Sequence, residues 1–254
     1  MIKKRLITCS VMLVTVVISG LFICAKPDKK KAVKNTSNYK FIFPDTRFSN
    51  DFSFADEAVP LHDMRITRKM KHSLFKTSYN TVQSNILQVE AAKLFPIIVP
   101  ILQSYGIPED FKYMPLVEAG LKSGVSRRGA AGWWQFMPGT ARTYGLKVMD
   151  GRDDRYSVRR STVAACKYLK ELYAEFGSWT LAAAAYNIGE IKMAKAIKAQ
   201  SEDNYFRMHF NPETGVYLYR IIAMKQVIER PELYGYKKPY SAMQIPTADL
   251  MAFN

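Results

Sequence analysis

Cysteine and histidine are scarce in this chain, and their scarcity excludes several classes of protein. Only three of the 254 residues are cysteine, and two of these, Cys9 and Cys24, lie in an N-terminal apolar stretch. Cys166 is therefore alone in the body of the chain, which excludes a fold held together by internal disulfides. The three histidines lack the spacing of metal ligands, and we predict no metal site and no cofactor.

Acidic residues are also fewer than basic residues. Lysine and arginine together number 37 against 22 aspartates and glutamates, which gives a formal net charge of +15. A basic surface attracts polyanions such as nucleic acid, anionic lipid or an anionic wall polymer. The chain has no zinc-finger spacing, no RNA-recognition aromatic motif and no basic zipper helix, and we therefore predict no nucleic-acid partner.

The N-terminus has the pattern of an exported protein. Lys3, Lys4 and Arg5 precede an uncharged, mainly apolar run that continues to Ala25. A basic region followed by an apolar region is typical of an export signal, and about 20 apolar residues also suffice to span a bilayer. We predict that residues 1–25 are an N-terminal membrane anchor or a cleaved signal peptide. Lipid attachment at Cys24 ranks third, because no small residue precedes it.

Hydrophobic periodicity divides the rest of the chain. Residues 26–77 are polar at first and then carry scattered phenylalanines, which predicts a tether or extension. After about residue 78 nearly every long segment has helical period, and no hairpin signal or internal repeat occurs. We predict an all-α domain over residues 78–235 and a C-terminal tail over residues 236–254.

Glycine, proline and serine residues that typically end, break or cap helices predict the helix boundaries. Pro100 predicts a kink or break, Gly106 and Gly177 predict helix ends, and Ser178 predicts an N-cap. The predicted helices cover residues 81–94, 95–105, 108–120, 157–176 and 179–187, a segment after Gly189, and a last segment from about residue 214 to Pro231.

A glutamate occurs where helical periodicity predicts an apolar face. In the segment after Pro108, Phe111, Met114 and Leu121 recur at the spacing of one face, and Glu118 falls on the same face. Burial disfavours the charged form of a carboxyl group and raises its pKa, as a general acid at neutral pH requires. Pairing with an arginine, or a position at the helix end, is the alternative that involves no catalysis.

A glycine-rich segment with two tryptophans follows this helix. Residues 126–138 contain three glycines, the pair Trp133-Trp134, and Gln135. Glycine lets a backbone approach a ligand closely, indole faces stack on sugar rings, and a glutamine amide both donates and accepts hydrogen bonds. This composition favours a carbohydrate-binding loop, and packing of the loop against the core is the alternative.

Three motifs, in order along the chain, resemble one enzyme family. They begin at Glu118-Ala119 and the glycine-rich segment, continue with a run from Ala184 to Gly189, and end with a segment that starts at Glu213. Together they resemble the catalytic domain of the soluble-lytic-transglycosylase type over about residues 100–230. Within that family, Tyr144-Gly145-Leu146 and the run Phe176-Gly177-x-Trp179 most resemble the membrane-bound type D branch. The shared residues include Glu118, Ser126, Gly129, Gly132, Gln135, Met137, Pro138, Tyr186, Asn187, Gly189, Glu213, Thr214 and Tyr217.

The resemblance implies a lysozyme-like fold similar to that of goose-type lysozyme. It also implies cleavage of the β-1,4 bond between N-acetylmuramic acid and N-acetylglucosamine, with formation of 1,6-anhydromuramoyl ends. In that route one carboxyl group first protonates the leaving oxygen and then acts as base on the C6 hydroxyl of the sugar. An internal nucleophile removes the need for the second carboxylate that ordinary glycosidases use.

Residue by residue, the resemblance implies that Glu118 is the catalytic acid and base, with the Tyr217 hydroxyl orienting its carboxyl group. Glu213 has a structural alternative, a bond to backbone across the cleft. Ala119 replaces the usual serine and Trp133-Trp134 the usual Leu-Met, which bears on rate and subsite preference. The residues predicted to bind substrate are Ser126, Trp134, Gln135, Met137, Tyr186, Asn187, Glu213 and Tyr217.

The resemblance further implies a monomer in the bacterial cell envelope, on the periplasmic side, with peptidoglycan glycan strands as its partner. The N-terminal segment would anchor it in the membrane or direct its export. Two alternatives stay open. A hydrolytic muramidase would need a water-activating carboxylate, for which Asp150, Asp153 and Asp154 are the nearby cluster. A non-catalytic peptidoglycan-binding scaffold is disfavoured by the presence of Glu118.

Overall fold

The computed structural model describes residues 52–121 and 124–236. The predicted N-terminal segment 1–25, the first part of the predicted extension and the tail after residue 236 lie outside these described residues. Within them, helices form most of the structure, and the only sheets are two antiparallel pairs of two-residue strands. The predicted all-α class is confirmed.

The elements are numbered here in chain order. The α-helices are α1 Met64–Thr77, α2 Tyr79–Val82, α3 Ile86–Ser104, α4 Met114–Glu118, α5 Pro138–Thr143, α6 Val158–Phe176, α7 Trp179–Ile188, α8 Glu190–Gln200 and α9 Tyr217–Glu229. The 3-10 helices are Glu109–Tyr113, Asp154–Tyr156, Thr214–Val216 and Pro231–Tyr234. The strands are β1 Ser53–Phe54, β2 Glu57–Ala58, β3 Val148–Met149 and β4 Arg152–Asp153.

Helix α1 lies in the segment that the sequence predicted to be an extension. Asp63 caps it by accepting a hydrogen bond from the Arg65 amide at 2.7 Å. Its apolar residues Ile66, Met70 and Leu74 recur at helical spacing, are buried, and pack mainly against α9. The folded body therefore includes α1, and the predicted domain start at residue 78 falls between two packed helices.

The hairpin β1–β2 also belongs to the folded body. The Phe54 ring is fully buried and meets the Phe111 ring edge to face, with 4.9 Å between centroids. The Glu57 carboxylate accepts hydrogen bonds from the Ser178 and Thr180 hydroxyls, at 2.7 and 2.6 Å, at the start of α7. Phe54, one of the scattered phenylalanines in the predicted extension, is thus part of the hydrophobic core. Sequence periodicity alone did not indicate this.

Two prolines lie inside α3 without breaking it, contrary to the prediction of two separate helices. Pro96 and Pro100 are four residues apart and both exposed. Each lacks the N–H that would bond the carbonyl four residues earlier, and on an exposed face solvent hydrates the freed carbonyls. The helix is long and apolar enough to cross a membrane by composition, but its buried face, which includes Leu94, Ile98 and Leu102, packs in the core.

The segment that carries Glu118 is two short helices where the sequence predicted one. Pro115 has no N–H to donate to the Phe111 carbonyl, so the α-helical ladder cannot run through it. Residues Glu109–Tyr113 instead form a 3-10 helix, and α4 begins at Met114 with Pro115 in its first turn. Phe111 and Met114 are fully buried, and Glu118 follows at the end of α4, half-buried.

The later helices follow their predicted boundaries closely. Ser157 caps α6, Gly177 ends it with a φ of 67°, and Ser178 caps α7 by accepting from the Leu181 amide at 3.2 Å. Helix α6 packs against α3 and α7, which forms the centre of the core. Hairpin β3–β4 was not predicted, although the Asp150-Gly151 pair at its turn is a recognised hairpin signal.

Candidate active site

The carboxyl group of Glu118 lies in a largely desolvated position between α4 and α9. The Tyr217 hydroxyl, at the first residue of α9, donates a short hydrogen bond to Oε1 of Glu118. Burial raises the pKa of Glu118 to about 7, while the Tyr217 bond and the charge of Arg220 partly oppose this rise. The group can therefore both give and take a proton near neutral pH.

A cavity of about 430 Å³ opens in front of this carboxyl group. Four parts of the chain form its walls: the end of α4, the loop after it, the end of α7, and the segment at the start of α9. Six of the residues predicted from the sequence meet here, namely Glu118, Ser126, Gln135, Asn187, Glu213 and Tyr217.

The glycine-rich loop is held in place by Arg155. Its guanidinium donates to the carbonyls of Gly129 and Phe136, at 2.7 and 3.0 Å. At Gly132, with a φ of 76°, a Cβ atom would lie 2.0 Å from the Arg155 carbonyl oxygen, so no side chain fits there. The loop wall of the cavity is therefore clamped to the hairpin β3–β4.

Gln135 and Ser126 contribute to the loop as well as to the cavity wall. The Gln135 amide nitrogen donates to the carbonyls of Gly124 and Gly132, at 3.0 and 2.8 Å, and Gln135 has a left-handed φ of 46°. The Ser126 hydroxyl accepts from the Ala130 amide at 3.0 Å. The side-chain oxygen of Gln135 accepts no hydrogen bond among the described residues. This oxygen is therefore available to accept a hydrogen bond from a ligand.

The end of α7 places Asn187 in the wall of the Glu118 cavity, and Tyr186 precedes it in the same helix. The Tyr186 hydroxyl donates to the Trp134 carbonyl at 2.8 Å, which ties α7 to the loop. The Asn187 side-chain oxygen accepts from the Thr214 hydroxyl at 2.9 Å, which ties α7 to the segment before α9. These two bonds fix the width of the cavity.

Trp134 does not lie in the cavity, which corrects the prediction that it binds substrate. Its side chain is 0% exposed, and its indole nitrogen donates to the Thr162 hydroxyl at 2.9 Å inside the core. Trp133 is also buried, at 7% exposure. The tryptophan pair therefore anchors the loop to the core. Burial of these large aromatic side chains in the folded protein contributes free energy of folding even when no ligand is bound.

Met137 and Tyr186 line an adjoining cavity of about 230 Å³. Gln135 and Asn187 line both cavities, so the two form one groove that runs past Glu118. Met137 is 43% exposed at its edge. Tyr168 of α6, which the sequence analysis did not select, also lines this second part, with its ring 5.2 Å from that of Tyr186.

Arg220 is the other residue that sequence reasoning missed. It lines the Glu118 cavity, and its guanidinium donates to the Val117 carbonyl at 3.4 Å. Arg220 could have been predicted from the sequence, because a residue three positions after Tyr217 lies on the same face of a helix. A cation in this place supplies positive potential near the carboxyl group.

The other acidic residues differ in their surroundings. Asp153 and Asp154, at and just after the end of hairpin β3–β4, are paired with Arg155 and Arg160 and do not line the Glu118 cavity. Glu213 does line it, is exposed, and its charge raises the pKa of Glu118. Its carboxylate forms no hydrogen bond within residues 52–121 and 124–236, so the alternative of a bond to backbone across the cleft is not seen there. Those same residues contain no group of three or more metal-ligating side chains.

Comparison with known proteins finds one family whose model matches part of this chain. Residues 102–208 match the family described as "Transglycosylase SLT domain", which agrees with the predicted lysozyme-like fold. The chain is 33% identical over 139 residues to "Membrane-bound lytic murein transglycosylase D" of Escherichia coli (strain K12), an alignment that covers 52% of this chain and 31% of the relative.

A second relative is a "Putative tributyltin chloride resistance protein" of Alteromonas sp. (strain M-1). It is 30% identical over 128 residues, which cover 50% of this chain and 60% of the relative. The matched region thus spans about a third of the length of one curated relative and somewhat over half of the other.

Proposed function

We propose that this chain, which carries a transglycosylase SLT domain over residues 102–208, is a peptidoglycan lytic transglycosylase. One observation carries the proposal. A single carboxyl group, Glu118, has a pKa near 7, receives an orienting hydrogen bond from Tyr217, and faces an open groove. The name of the Escherichia coli relative supports the same reaction and the same murein substrate.

In the proposed reaction the protonated Glu118 gives its proton to the glycosidic oxygen between N-acetylmuramic acid and N-acetylglucosamine. The bond from C1 to that oxygen breaks, and the C6 hydroxyl oxygen of the same muramic residue bonds to C1. The proton of the C6 hydroxyl passes to Glu118, which restores the acid without consuming water. A pKa near 7 suits both proton transfers.

The remaining residues bind and align the glycan. Ser126, Gln135, Asn187, Glu213 and Tyr217 surround the reacting bond, while Met137 and Tyr186 line the continuation of the groove. The side-chain oxygen of Gln135 can accept a hydrogen bond from an acetamido N–H or a sugar hydroxyl. Tyr217 positions the Glu118 carboxyl, since its hydroxyl bonds directly to it.

We also propose how the chain is organised in the cell. Residues 1–25 serve as an anchor or export signal, and the folded domain acts as a monomer in the periplasmic part of the cell envelope, where its glycan substrate lies. The word "membrane-bound" in the name of the Escherichia coli relative supports a place at the envelope. Residues 236–254 are proposed as a C-terminal tail.

The direct test is mass spectrometry of muropeptides released from purified sacculi, with the Glu118→Gln variant as control. We expect 1,6-anhydromuramoyl ends from the unaltered protein and their disappearance in the variant. Because the amide has the shape of the acid without its proton, loss of product assigns the chemistry to this group.

A hydrolytic muramidase is the second candidate, and Glu213 is the observation in its favour. This carboxylate lines the Glu118 cavity, whereas Asp153 and Asp154 are paired with arginines elsewhere. A second carboxylate with room for a water is the arrangement of an inverting glycosidase. Reducing ends in place of anhydro ends in the same spectra would establish hydrolysis. Binding to sacculi without any release would indicate a scaffold.

A further inference from the structure

A second cavity shares a wall with the one that contains Glu118. We call it the flank pocket; its volume is about 420 Å³, within the range of small-ligand sites (~300–1,000 Å³). Val117, Gly120 and Arg220 line both cavities. Six further lining residues precede the matched family segment 102–208, namely His72, Ser73, Lys76, Thr77, Val82 and Leu87. Helices α1, α2 and the start of α3 therefore supply one side of this pocket.

The lining of the flank pocket combines an apolar floor with a basic mouth. Leu87, Leu116 and Met224 are buried, which gives the floor its apolar character. Lys76 and Arg220 are exposed at the mouth. Among the described residues that line the pocket none is an aspartate or glutamate, and Lys76 forms no ion pair within the described ranges. A ligand with carboxylates and short apolar side chains matches this surface.

We propose that the flank pocket binds the stem peptide carried by a muramic residue of the glycan in the groove. The inference rests on the proposed function, since it needs a glycan strand beside Glu118. A stem peptide is short, bears several carboxylates and has small apolar side chains. Because the two cavities share a wall, a peptide attached to the glycan reaches the flank pocket without leaving the strand.

The common wall also favours a tethered peptide over other anionic ligands. A free anion or a lipid has no reason to lie beside the reacting bond, whereas the peptide is covalently joined to the sugar that reacts. Binding there adds contacts to the same substrate at small further entropic cost, since the second contact is intramolecular. The flank pocket thus selects glycan that still carries its peptides.

The test compares two substrates made from one preparation of sacculi. One keeps its stem peptides, and in the other an amidase has removed them. In the Lys76→Glu variant we expect kcat/KM on the peptide-bearing substrate to fall at least fivefold, and kcat/KM on the bare glycan to change less than twofold. Lys195→Glu is the matched control, because Lys195 is exposed on α8 and lines none of the three cavities.

A second variant tests the pocket by shape rather than charge. Val82→Trp fills the flank pocket from α2 at a half-exposed position, and we expect the same selective loss on the peptide-bearing substrate. Equal losses on both substrates, or an equal effect of Lys195→Glu, would overturn the proposal.

A binding measurement separates this proposal from the proposed function. The probe is a free stem tetrapeptide, and the readout is the NMR signal of the His72 imidazole, which lines the pocket. A shift with the unaltered protein that is lost in Lys76→Glu supports the flank pocket, and no shift contradicts it. If the unaltered protein cuts neither substrate, the transglycosylase proposal fails while the peptide titration still decides the pocket.

Discussion

The carboxylates of the groove and of the hairpin β3–β4 have the same chemistry and opposite surroundings. Glu118 has one uncharged hydrogen-bond donor, Tyr217, and burial raises its pKa to about 7. Asp153 accepts hydrogen bonds from the Arg155 guanidinium at 2.6 and 2.9 Å, and those bonds lower the pKa of Asp153. Glu118, the proposed acid and base, thus forms no ion pair among the described residues although Arg220 lines its cavity, whereas Asp153, which helps to hold a loop, is paired with Arg155.

The two regions also depend on each other. Arg155, fixed by Asp153, donates to two carbonyls of the glycine-rich loop, and that loop forms one wall of the cavity in front of Glu118. The ion pair of Asp153 and Arg155 therefore helps to hold one wall of the cavity that contains Glu118, the proposed acid and base. Substitutions in the two regions should consequently separate activity from stability.

The largest effect should come from Glu118→Gln, which leaves the shape of the site intact. Loss of a general acid lowers rates by about 10²–10⁴-fold, and here one group supplies both proton transfers. We expect release of anhydromuropeptides to fall by at least that factor while the far-ultraviolet circular dichroism is unchanged. Retention of more than a tenth of the activity would show that another residue is the acid.

Just after the hairpin, Arg155→Met should cost about 2–4 kcal/mol of unfolding free energy, since it removes the guanidinium that pairs with Asp153 and donates to two loop carbonyls. Denaturant unfolding at neutral pH measures this. Arg152→Met is the matched control, because that arginine is 46% exposed at its side chain and shares Asp154 with Arg160. Its expected cost is below about 1 kcal/mol. Equal costs would mean that the loop contacts contribute nothing.

Tyr217→Phe tests the orienting bond of Glu118. We expect kcat to fall about 10–100-fold, since misplacement of a catalytic group has effects of that size. The bond from Tyr217 lowers the pKa of Glu118, so its removal should raise that pKa and move the alkaline limb of the pH profile above its position near 7. Tyr219→Phe on the same helix is the control, because the Tyr219 hydroxyl is buried without a partner among the described residues. Its activity should be unchanged.

The raised pKa of Glu118 also predicts a stability difference. The folded-state pKa lies above the unfolded value of 4.5, so the folded protein binds the proton more tightly, and the cost of burying the charge grows as pH rises from about 4.5 to 7. Glu118→Gln should then be more stable than the unaltered protein at pH 8, by on the order of 1–3 kcal/mol, and not at pH 4. Thermal unfolding at the two pH values measures it. A variant of equal or lower stability at pH 8 would contradict the burial of the charge.

The smallest effect should come from Glu213→Gln. The charge of Glu213 raises the pKa of Glu118, so the substitution should lower that pKa and shift the alkaline limb to slightly lower pH, opposite to Tyr217→Phe. Activity at pH 6 should persist. Its collapse, together with reducing ends in the product, would favour the hydrolytic alternative instead.

The sequence predicted Glu118 as the candidate acid and most helix boundaries after residue 157 from local signals, but it predicted one helix where Pro115 divides the segment in two. Ser157, Gly177 and Ser178 act at their own positions whatever the rest of the chain does. Glu118 was recognised because burial of a charged residue on an apolar helix face costs free energy unless the charge is paired or neutralised.

The errors concern contacts between distant parts of the chain. The burial of Trp134 depends on Thr162, and the place of α1 in the core depends on α9. A tryptophan in a glycine-rich loop has the same local pattern whether it faces a sugar or the core. The flank pocket was equally invisible, since its walls come from three separated segments.

The bond between Tyr217 and Glu118 joins residues 99 positions apart, and it closes only when α9 docks. Contacts of such long range form late, because the intervening chain must be ordered first. A chain in which α9 is not packed therefore has a glutamate without its partner. In the proposed enzyme, the carboxyl group therefore has its orienting partner only in the fully packed domain.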